Sequence, residues 1–266
     1  MIYVNPIVGK TGLCNMLIPW ARAEIFAKRR RAKMLAPQWT NYMRVGQFLR
    51  GERSRFYRNE FCNVGCLGGV GRLMKLMMLP HVSERDYKDG TDNVVVDFSG
   101  MDGFMEPFFR EHDYIVMRLN EIVDPTLLRR AERISETPFV GVHVRRGDFG
   151  RAGLCISDEW YVRAINCARE KAPSLPIKIF SDAPASSLSR IASQFDNVQV
   201  MPSMPAAQDL LTLSKATILV GTSRSSFSYW AVYLGQMPSI FHPVYKEKPD
   251  PLYLDGRDPE LVEDNL

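Results

Sequence analysis

The sequence lacks several patterns that mark specialised classes of protein. Its five cysteines are odd in number and scattered, which argues against a disulfide framework. No apolar run approaches the roughly 20 residues that span a bilayer. The opening residues, MIYVNPIVGKTG, have neither a charged n-region nor a long apolar h-region, so they do not resemble a signal peptide. We therefore expect a protein of the reducing cytoplasm.

Strong charge is absent as well. The net charge of the 266 residues is only +4, which is too weakly basic to predict a nucleic-acid partner. It suits a ligand that carries phosphates. The arginine-rich stretch from Arg44 to Arg58 has two interpretations. It either contacts an anionic membrane surface as a peripheral attachment, or it is an ordinary solvated face.

A metal site is not indicated by the cysteines. Cys62 and Cys66 form a CxxxC pair, and no second pair completes the four ligands of a structural zinc. We expect two free thiols there.

The second half of the chain alternates between predicted strands and helices. This alternation predicts βαβ units, a mainly parallel sheet and an α/β fold. Strands are predicted at 140–144, 177–180, 198–201, 218–220 and 239–241, and helices at 157–172, 185–195, 206–215 and 225–234.

The first half has a less regular pattern. Strands are predicted at 2–5, 33–36 and 93–98, and helices at 13–31 and 124–135. Residues 39–92 read as an insertion or an acceptor-facing region. A break near Pro138 leads us to divide the chain into domains 1–137 and 138–266.

Polar clusters follow the predicted strands of the second half. They comprise His143–Asp148, Ser181–Asp182 and Thr222–Ser226. Ligands of parallel α/β sheets bind at the carboxyl ends of the strands. The three clusters therefore predict one ligand site.

The densest of these clusters lies in VGVHVRRGDF, residues 140–149. Arg145 can present a planar fork to phosphate oxygens. His143 and Arg145 share one face of an extended strand, while Arg146 lies on the other face and can pair with a carboxylate such as Asp148. The alternative is a surface ion-pair cluster at a strand end.

A second candidate is GTSRSSFSYWA, residues 221–231, where small hydroxyl residues lead into a helix. A helix N-terminus offers unpaired N–H groups and a positive dipole end, and Ser225 and Ser226 can add hydroxyl donors. Simple capping by serine is the alternative. Phe227 and Trp230 are core residues or could stack on a nucleobase.

Three polar residues complete the candidates. Asp209 could accept both N–H donors of a guanine edge, and Asp182 has a similar status; both could equally be solvated. Asn15 follows a strand-to-helix turn and could hydrogen-bond a ligand or serve as an N-cap. The glycine-rich GGVGR at 68–72 follows no convincing strand and carries little weight as a dinucleotide site.

Together these motifs resemble the α-1,2-fucosyltransferases and their α-1,6- and protein O-fucosyltransferase relatives. HVRRGD matches the HxRRxD signature, SSFSYW resembles SSFSWW with one aromatic exchanged, and FSD at 180–182 is similar to FSDD. GLCN at 12–15 resembles GLGNQ, with Cys14 in place of a glycine and Met16 in place of a glutamine. The resemblance covers almost the whole chain, apart from residues 39–92.

The resemblance implies a GT-B architecture, in which two Rossmann-like domains face each other across a cleft. GDP-fucose is then expected in domain 138–266, and an oligosaccharide or lipid-linked glycan acceptor nearer domain 1–137. By motif position, Arg145 binds the β-phosphate and Asn15 faces the fucose. His143 and Asp209 are assigned to the guanosine part. The pyrophosphate and base are assigned to Ser225, Ser226 and Phe227.

Such an enzyme breaks a sugar–phosphate bond through an oxocarbenium-like transition state and inverts the β-linked donor to an α-product. A metal-dependent transferase would use a DxD pair, whereas Asp97 and Asp102 are five residues apart, so we expect no metal cofactor. Asp148, Asp158 and Glu159 are candidate bases. Two alternatives stay open: a transferase using another GDP-sugar, and a non-catalytic nucleotide- or glycan-binding protein.

Overall fold

The computed structural model describes residues 1–9, 11–39 and 57–242, but not the side chains of Asp148 and Arg151. The chain divides into two compact units, Met1–Pro125 and Thr126–Leu266. The boundary predicted from the sequence, near residue 137, falls after the helix that opens the second unit. Within the described ranges, no helix combines the length and apolar character needed to cross a membrane.

The first unit contains a four-stranded parallel sheet in the order β2-β1-β4-β3. Its central strands are buried, because their short apolar runs are covered on both faces. The strands are β1 (Ile2–Pro6), β2 (Lys33–Met34), β3 (His81–Ser83) and β4 (Val94–Phe98). The sequence predicted all of these except β3.

Helix α1 (Leu13–Arg30) packs against this sheet and ends where Arg31 adopts a left-handed conformation, with φ of 51°. Two further helices of the unit were not predicted, α2 (Gly69–Met78) and α3 (His112–Ile122), the latter preceded by a 3₁₀ helix at Glu106–Glu111. The described part of region 39–92 is therefore partly regular. The rest of that region, residues 40–56, lies outside the described residues, as does most of the stretch Arg44–Arg58.

The second unit contains a five-stranded parallel sheet in the order β7-β6-β5-β8-β9. All five strands were predicted within a residue of their observed ends. They are β5 (Val140–Val144), β6 (Ile177–Ser181), β7 (Val198–Val200), β8 (Ile218–Gly221) and β9 (Ser239–Phe241).

The helices of the second unit largely follow the predicted pattern. They are α4 (Pro125–Ile134), α5 (Gly147–Ala152), α6 (Asp158–Lys171), α7 (Ser189–Ala192), α8 (Ala206–Leu213) and α9 (Ser226–Gly235). Ser157 caps α6 as expected, its hydroxyl accepting the Trp160 N–H at 3.3 Å. The short α5 was missed, and the predicted helix 185–195 is a 3₁₀ turn followed by one turn of α-helix.

The strand order determines where a ligand can bind. From β5 the chain moves outward through β6 and β7, and then returns to place β8 on the other side of β5. This is a topological switch point, where the loops on either side of β5 diverge and leave a crevice at the carboxyl ends of the strands.

Candidate active site

The three polar clusters meet at this switch point. The Ser181 hydroxyl, at the end of β6, donates to the Val144 carbonyl oxygen at 2.6 Å. From β8, the Thr222 hydroxyl donates to the His143 carbonyl oxygen at 2.7 Å. The ends of β6 and β8 are thereby joined to the end of β5, and the prediction that the clusters come together is confirmed.

Thr222 is the junction of these contacts and is 0% exposed. Its Oγ1 accepts the Arg145 N–H at 3.0 Å and lies 2.7 Å from the Tyr161 hydroxyl. Burial raises the pKa of Tyr161, so the phenol keeps its proton. Because the Thr222 proton already goes to the His143 carbonyl, Tyr161 must be the donor in their contact. The sequence predicted Thr222 only as one member of its polar cluster, and these contacts were missed. Its position directly after a buried strand was the one signal for them.

His143 is almost fully buried, at 4% exposed. Its Nδ1 lies 2.7 Å from the Ser228 hydroxyl, and its ring stacks on Phe227 with centroids 4.9 Å apart and an interplanar angle of 29°. Burial, with a smaller contribution from Arg145, lowers the pKa of His143 to about 3. The imidazole is therefore neutral, and its contacts with Ser228 and Phe227 bring the first turn of α9 beside the end of β5.

Arg145 follows on the same strand, and its side chain is partly exposed, at 22%. Its Nη1 lies 3.1 Å from Asp182 Oδ2, and its Cζ lies 5.9 Å from the ring centroid of Phe149. The hydrogen bond from its backbone N–H to Thr222 fixes the main chain of Arg145. The side chain that extends from this fixed point still reaches solvent.

Arg146 faces the opposite way, as the strand alternation predicted. Its Nη1 donates to the Ile156 carbonyl oxygen at 2.5 Å, its Nη2 pairs with Asp158, and its Cζ lies 5.7 Å from the Tyr161 ring centroid. Asp158 is thus the carboxylate that Arg146 engages. Asp148 had been suggested for that pairing, and its side chain lies outside the described residues.

Asp182 uses both carboxylate oxygens to hold the HVRRGD turn. Its Oδ1 accepts the backbone N–H groups of Arg146 at 2.9 Å and Gly147 at 3.1 Å, while Oδ2 pairs with Arg145. A Cβ at position 147 would collide with Asp182 Oδ2, so a larger residue there would displace this carboxylate from the turn. In this structure Asp182 positions the turn, and direct contact with substrate stays a prediction.

The N-terminus of α9 opens beside these residues. Ser225 occupies the N-cap position and is buried, but its side chain caps no N–H group of the helix. The interpretation of this serine as a simple side-chain cap is therefore wrong. Ser226 and Phe227, the first two helical residues, are half-buried.

The remaining candidates lie on three other helices. Asp209 is half-buried in the first turn of α8. Asn15 belongs to the first unit and is half-buried near the start of α1, whose N-cap is Gly12. The interpretation of Asn15 as an N-cap is therefore wrong. Glu159 is exposed, and hydrogen bonds to its own backbone N–H and to Ser157 lower its pKa, which weakens it as a base.

The described residues contain no group of three or more histidine, cysteine, aspartate or glutamate side chains that could hold a metal ion. None of the five cysteines, all of which the structure describes, forms a disulfide, and Cys62 and Cys66 are the thiols expected there.

Family models provide the deciding comparison for this site. Residues 95–249, more than half of the 266 residues, match the model of glycosyl transferase family 11. The chain belongs to glycosyl transferase family 11. The match includes β5, β6, β8, the HVRRGD turn and α9. The resemblance to fucosyltransferases drawn from these motifs is confirmed.

Several solved structures share the fold of this chain. A crystal structure of NodZ α-1,6-fucosyltransferase soaked with GDP-fucose has a TM-score of 0.56 at 15% identity, covering 91% of this chain and 95% of that one. NodZ from Bradyrhizobium gives 0.55 at 15% identity, covering 89% and 93%. POFUT1 in complex with GDP gives 0.57 at 12% identity, covering 91% and 98%. Comparison with curated proteins found no match.

Proposed function

We propose that this family 11 member transfers fucose from GDP-fucose to a hydroxyl group of a glycan acceptor, with inversion, without a metal ion, and with formation of an α-1,2 linkage. One observation carries the proposal. Arg145, partly exposed at the switch point, is tied through Thr222 to the end of β8, and α9 begins a few residues later beside His143. A guanidinium and a helix N-terminus are thereby available to the same anion.

The chemistry requires such an arrangement. Cleavage of the sugar–phosphate bond develops negative charge on the departing diphosphate and positive charge at the anomeric carbon. Preorganised cations and helix N–H groups aimed at that negative charge lower the barrier by several kcal/mol. Arg145 and the first turn of α9 supply both. Asp182 holds the arginine until a phosphate, which offers more acceptor oxygens, takes its place.

The other roles follow from motif position. His143, Phe227 and Asp209 hold the guanosine, and the hydroxyl groups of Ser225 and Ser226 contact the pyrophosphate. The structures of NodZ with GDP-fucose and of POFUT1 with GDP support a guanine-nucleotide donor for this fold.

We further propose the GT-B arrangement for the two units. Domain 138–266 binds the donor, domain 1–137 binds the acceptor, and a cleft separates them. In that arrangement Asn15 faces the fucose, and Asp148 is the candidate base that accepts the acceptor proton.

One sequence feature raises the question of a second donor, namely the replacement of the motif's glycine and glutamine by Cys14 and Met16. Both side chains are buried in the structure, so neither substitution presents a new group at the surface of α1. GDP-fucose is therefore the preferred donor, with another GDP-sugar such as GDP-mannose as the alternative to be assayed beside it.

The location of the protein is also a proposal. We place it in the cytoplasm, where GDP-sugars meet oligosaccharides or lipid-linked glycans at the inner membrane face. Flotation with liposomes that contain anionic lipid tests the peripheral contact, and loss of flotation at high salt identifies an electrostatic one.

The test of the proposed function begins with nucleotide binding. Calorimetric titration with GDP, UDP and ADP should show a preference for GDP. Release of GDP from GDP-fucose is then measured in the presence of EDTA with galactose- and N-acetylglucosamine-terminated acceptors, and the anomeric configuration and linkage of the product are read by NMR. Absence of nucleotide binding would reject the enzyme and leave only a glycan-binding role. Loss of turnover on adding EDTA would reject metal independence.

A further inference from the structure

A cavity of about 420 Å³ lies in the first unit, beyond the end of β2. Backbone hydrogen bonds build its frame, because the Leu67 N–H donates to the Met34 carbonyl at 2.8 Å and the Ala36 N–H donates to the Leu67 carbonyl at 2.9 Å. This pairing brings residues 36–39 alongside the start of α2. The volume falls in the range of small-molecule pockets. None of the roles assigned above uses these residues.

One wall of the cavity is aromatic. The rings of Trp39 and Phe61 stack with centroids 4.4 Å apart and an interplanar angle of 24°. Trp39 is 3% exposed, and its indole N–H has no hydrogen-bond partner in the structure as described. Trp39 and Phe61 are 3% and 7% exposed, so only small parts of the two rings reach the cavity, where they form a rigid apolar contact for a C–H group of a sugar.

The lining of the cavity also includes two positively charged side chains, Arg58 and Arg72. Over the described parts of the chain, neither pairs with a carboxylate, and Arg72 Nε is buried without a partner. Burial also lowers the pKa of Arg72. A half-buried guanidinium without a counter-charge is unfavourable, and an anionic ligand would remove that cost.

Other arginines of the same unit show the contrast. Arg22 pairs with Glu84 at 2.7 Å, and Arg85 pairs with Asp102 at 2.6 Å. Arg58 and Arg72 differ from these two arginines in having no carboxylate partner among the described residues.

The N-terminus of α2 adds a third element. Gly68, its N-cap, and Gly69 both line the cavity, and no side chain among the described residues caps the helix. Gly69 has φ of +57°, a conformation that glycine adopts without strain. The first N–H groups of a ten-residue helix and its positive dipole end favour an anion here.

We propose that this cavity binds a sugar unit that carries an anionic group, a carboxylate or a phosphate. The aromatic wall contacts the sugar ring, and Arg58, Arg72 and the start of α2 bind the anion. On the basis of the proposed function, this acidic sugar is part of the glycan acceptor. The enzyme is then selective for acidic glycans. Binding itself does not depend on that function.

The experiment measures binding to the full-length protein by calorimetry and saturation-transfer NMR. The probes are glucuronic acid, glucose 6-phosphate, glucose and inorganic phosphate. We expect the two acidic sugars to bind at least roughly tenfold more tightly than glucose, because charge-assisted hydrogen bonds are worth more than neutral ones. The carboxylate and phosphate arms distinguish the two classes of acidic sugar.

Arg72→Gln and Arg58→Gln should each weaken binding of the acidic sugars by roughly tenfold. Arg85→Gln removes an exposed arginine elsewhere in the unit and should leave that binding unchanged, so it is the matched control. Should Arg72→Gln fold poorly, the exposed Arg58→Gln still decides the outcome.

Equal binding of glucose and the acidic sugars would overturn the proposal, as would an absence of binding or unchanged affinity in both arginine variants. If inorganic phosphate binds as tightly as glucose 6-phosphate, the cavity is a bare anion site and the sugar assignment is wrong. Titration with GDP on the same preparations separates this result from the proposed function. If the acidic sugars bind and GDP does not, the cavity assignment stands and the donor site is rejected.

Discussion

Arg145 and Asp182 form an ion pair at the switch point of the second sheet, with Nη1 and Oδ2 3.1 Å apart and side chains 22% and 27% exposed. Partial exposure makes the pair weak, since water competes for both charges. The carboxylate can therefore orient the guanidinium and still release it to a phosphate. The same carboxylate holds the backbone of the turn, so one residue positions both the arginine and the loop that carries it.

Replacement of Arg145 by alanine should abolish transfer while the fold is retained. Removing one preorganised donor to developing charge typically lowers kcat by roughly 10²–10³-fold. Arg145→Lys keeps the charge but not the bidentate fork, so its kcat should lie between those of the native protein and Arg145→Ala. GDP release is the measurement, with thermal denaturation as the control for folding. Near-normal turnover in Arg145→Ala would remove the phosphate role.

Arg146→Ala should act on stability first. The side chain pairs with Asp158, donates to the Ile156 carbonyl and lies over Tyr161, so its loss removes contacts inside the unit. We expect a loss of about 1–3 kcal/mol, which shifts Tm by about 2–4 °C per kcal/mol in a chain of this size. Differential scanning calorimetry measures it. A Tm equal to that of Arg145→Ala would contradict the division of labour between the two arginines.

Asp182→Ala and Asp182→Asn should differ. Asparagine keeps an oxygen that can accept the N–H groups of Arg146 and Gly147, whereas alanine removes it. We expect Asp182→Ala to lose about 1–3 kcal/mol of stability and Asp182→Asn less. Urea denaturation gives the free energies of unfolding. Equal losses in the two variants would mean that the charge, and not the backbone contacts, stabilises the turn.

Thr222→Val should be strongly destabilising, although it preserves shape. It leaves the Arg145 N–H and the Tyr161 hydroxyl without their buried acceptor. Two unsatisfied donors cost about 2–4 kcal/mol together. Thr222→Ser retains the hydroxyl and is the control, with a much smaller loss expected. If valine and serine variants unfold at the same urea concentration, the hydroxyl is not the junction inferred from the structure.

His143 should make stability depend on pH. In the unfolded chain it binds a proton below pH about 6.5, whereas the folded state resists protonation until about pH 3. The unfolded state therefore binds more protons in this window, and stability falls as pH decreases, by up to about 1.4 kcal/mol per pH unit. His143→Asn keeps a polar atom near the Nδ1 position without titrating. Subtracting its pH profile from that of the native protein isolates the effect, and identical slopes between pH 6 and 4.5 would refute it.

Much of the second unit could be predicted from its sequence, because each strand is a short apolar run and each helix has its own periodicity. The elements that escaped prediction have weak local signals. Helix α2 begins with GVG, whose glycines lower helix propensity, and α5 begins with a glycine directly after charged residues. Tertiary contacts stabilise both elements, and local patterns do not report those contacts.

The candidate site divides in the same way. Arg145, His143 and the serines of α9 were found by motif and by their position after strands. The role of Thr222 as a junction, the contact of Ser228 with His143 and the double role of Asp182 were not identified. Their partners lie 77, 85 and 36 residues away along the chain, and no short-range pattern encodes such distant pairs.

The sequence alone determined the alternating α/β pattern, the family and the opposite faces of Arg145 and Arg146, since these depend on local periodicity and covalent order. Only the tertiary structure decided that β8, rather than β7, pairs with β5 on the side away from β6. That choice depends on the packing of whole strands and helices. It is what brings Thr222 to Arg145 and the start of α9 to His143.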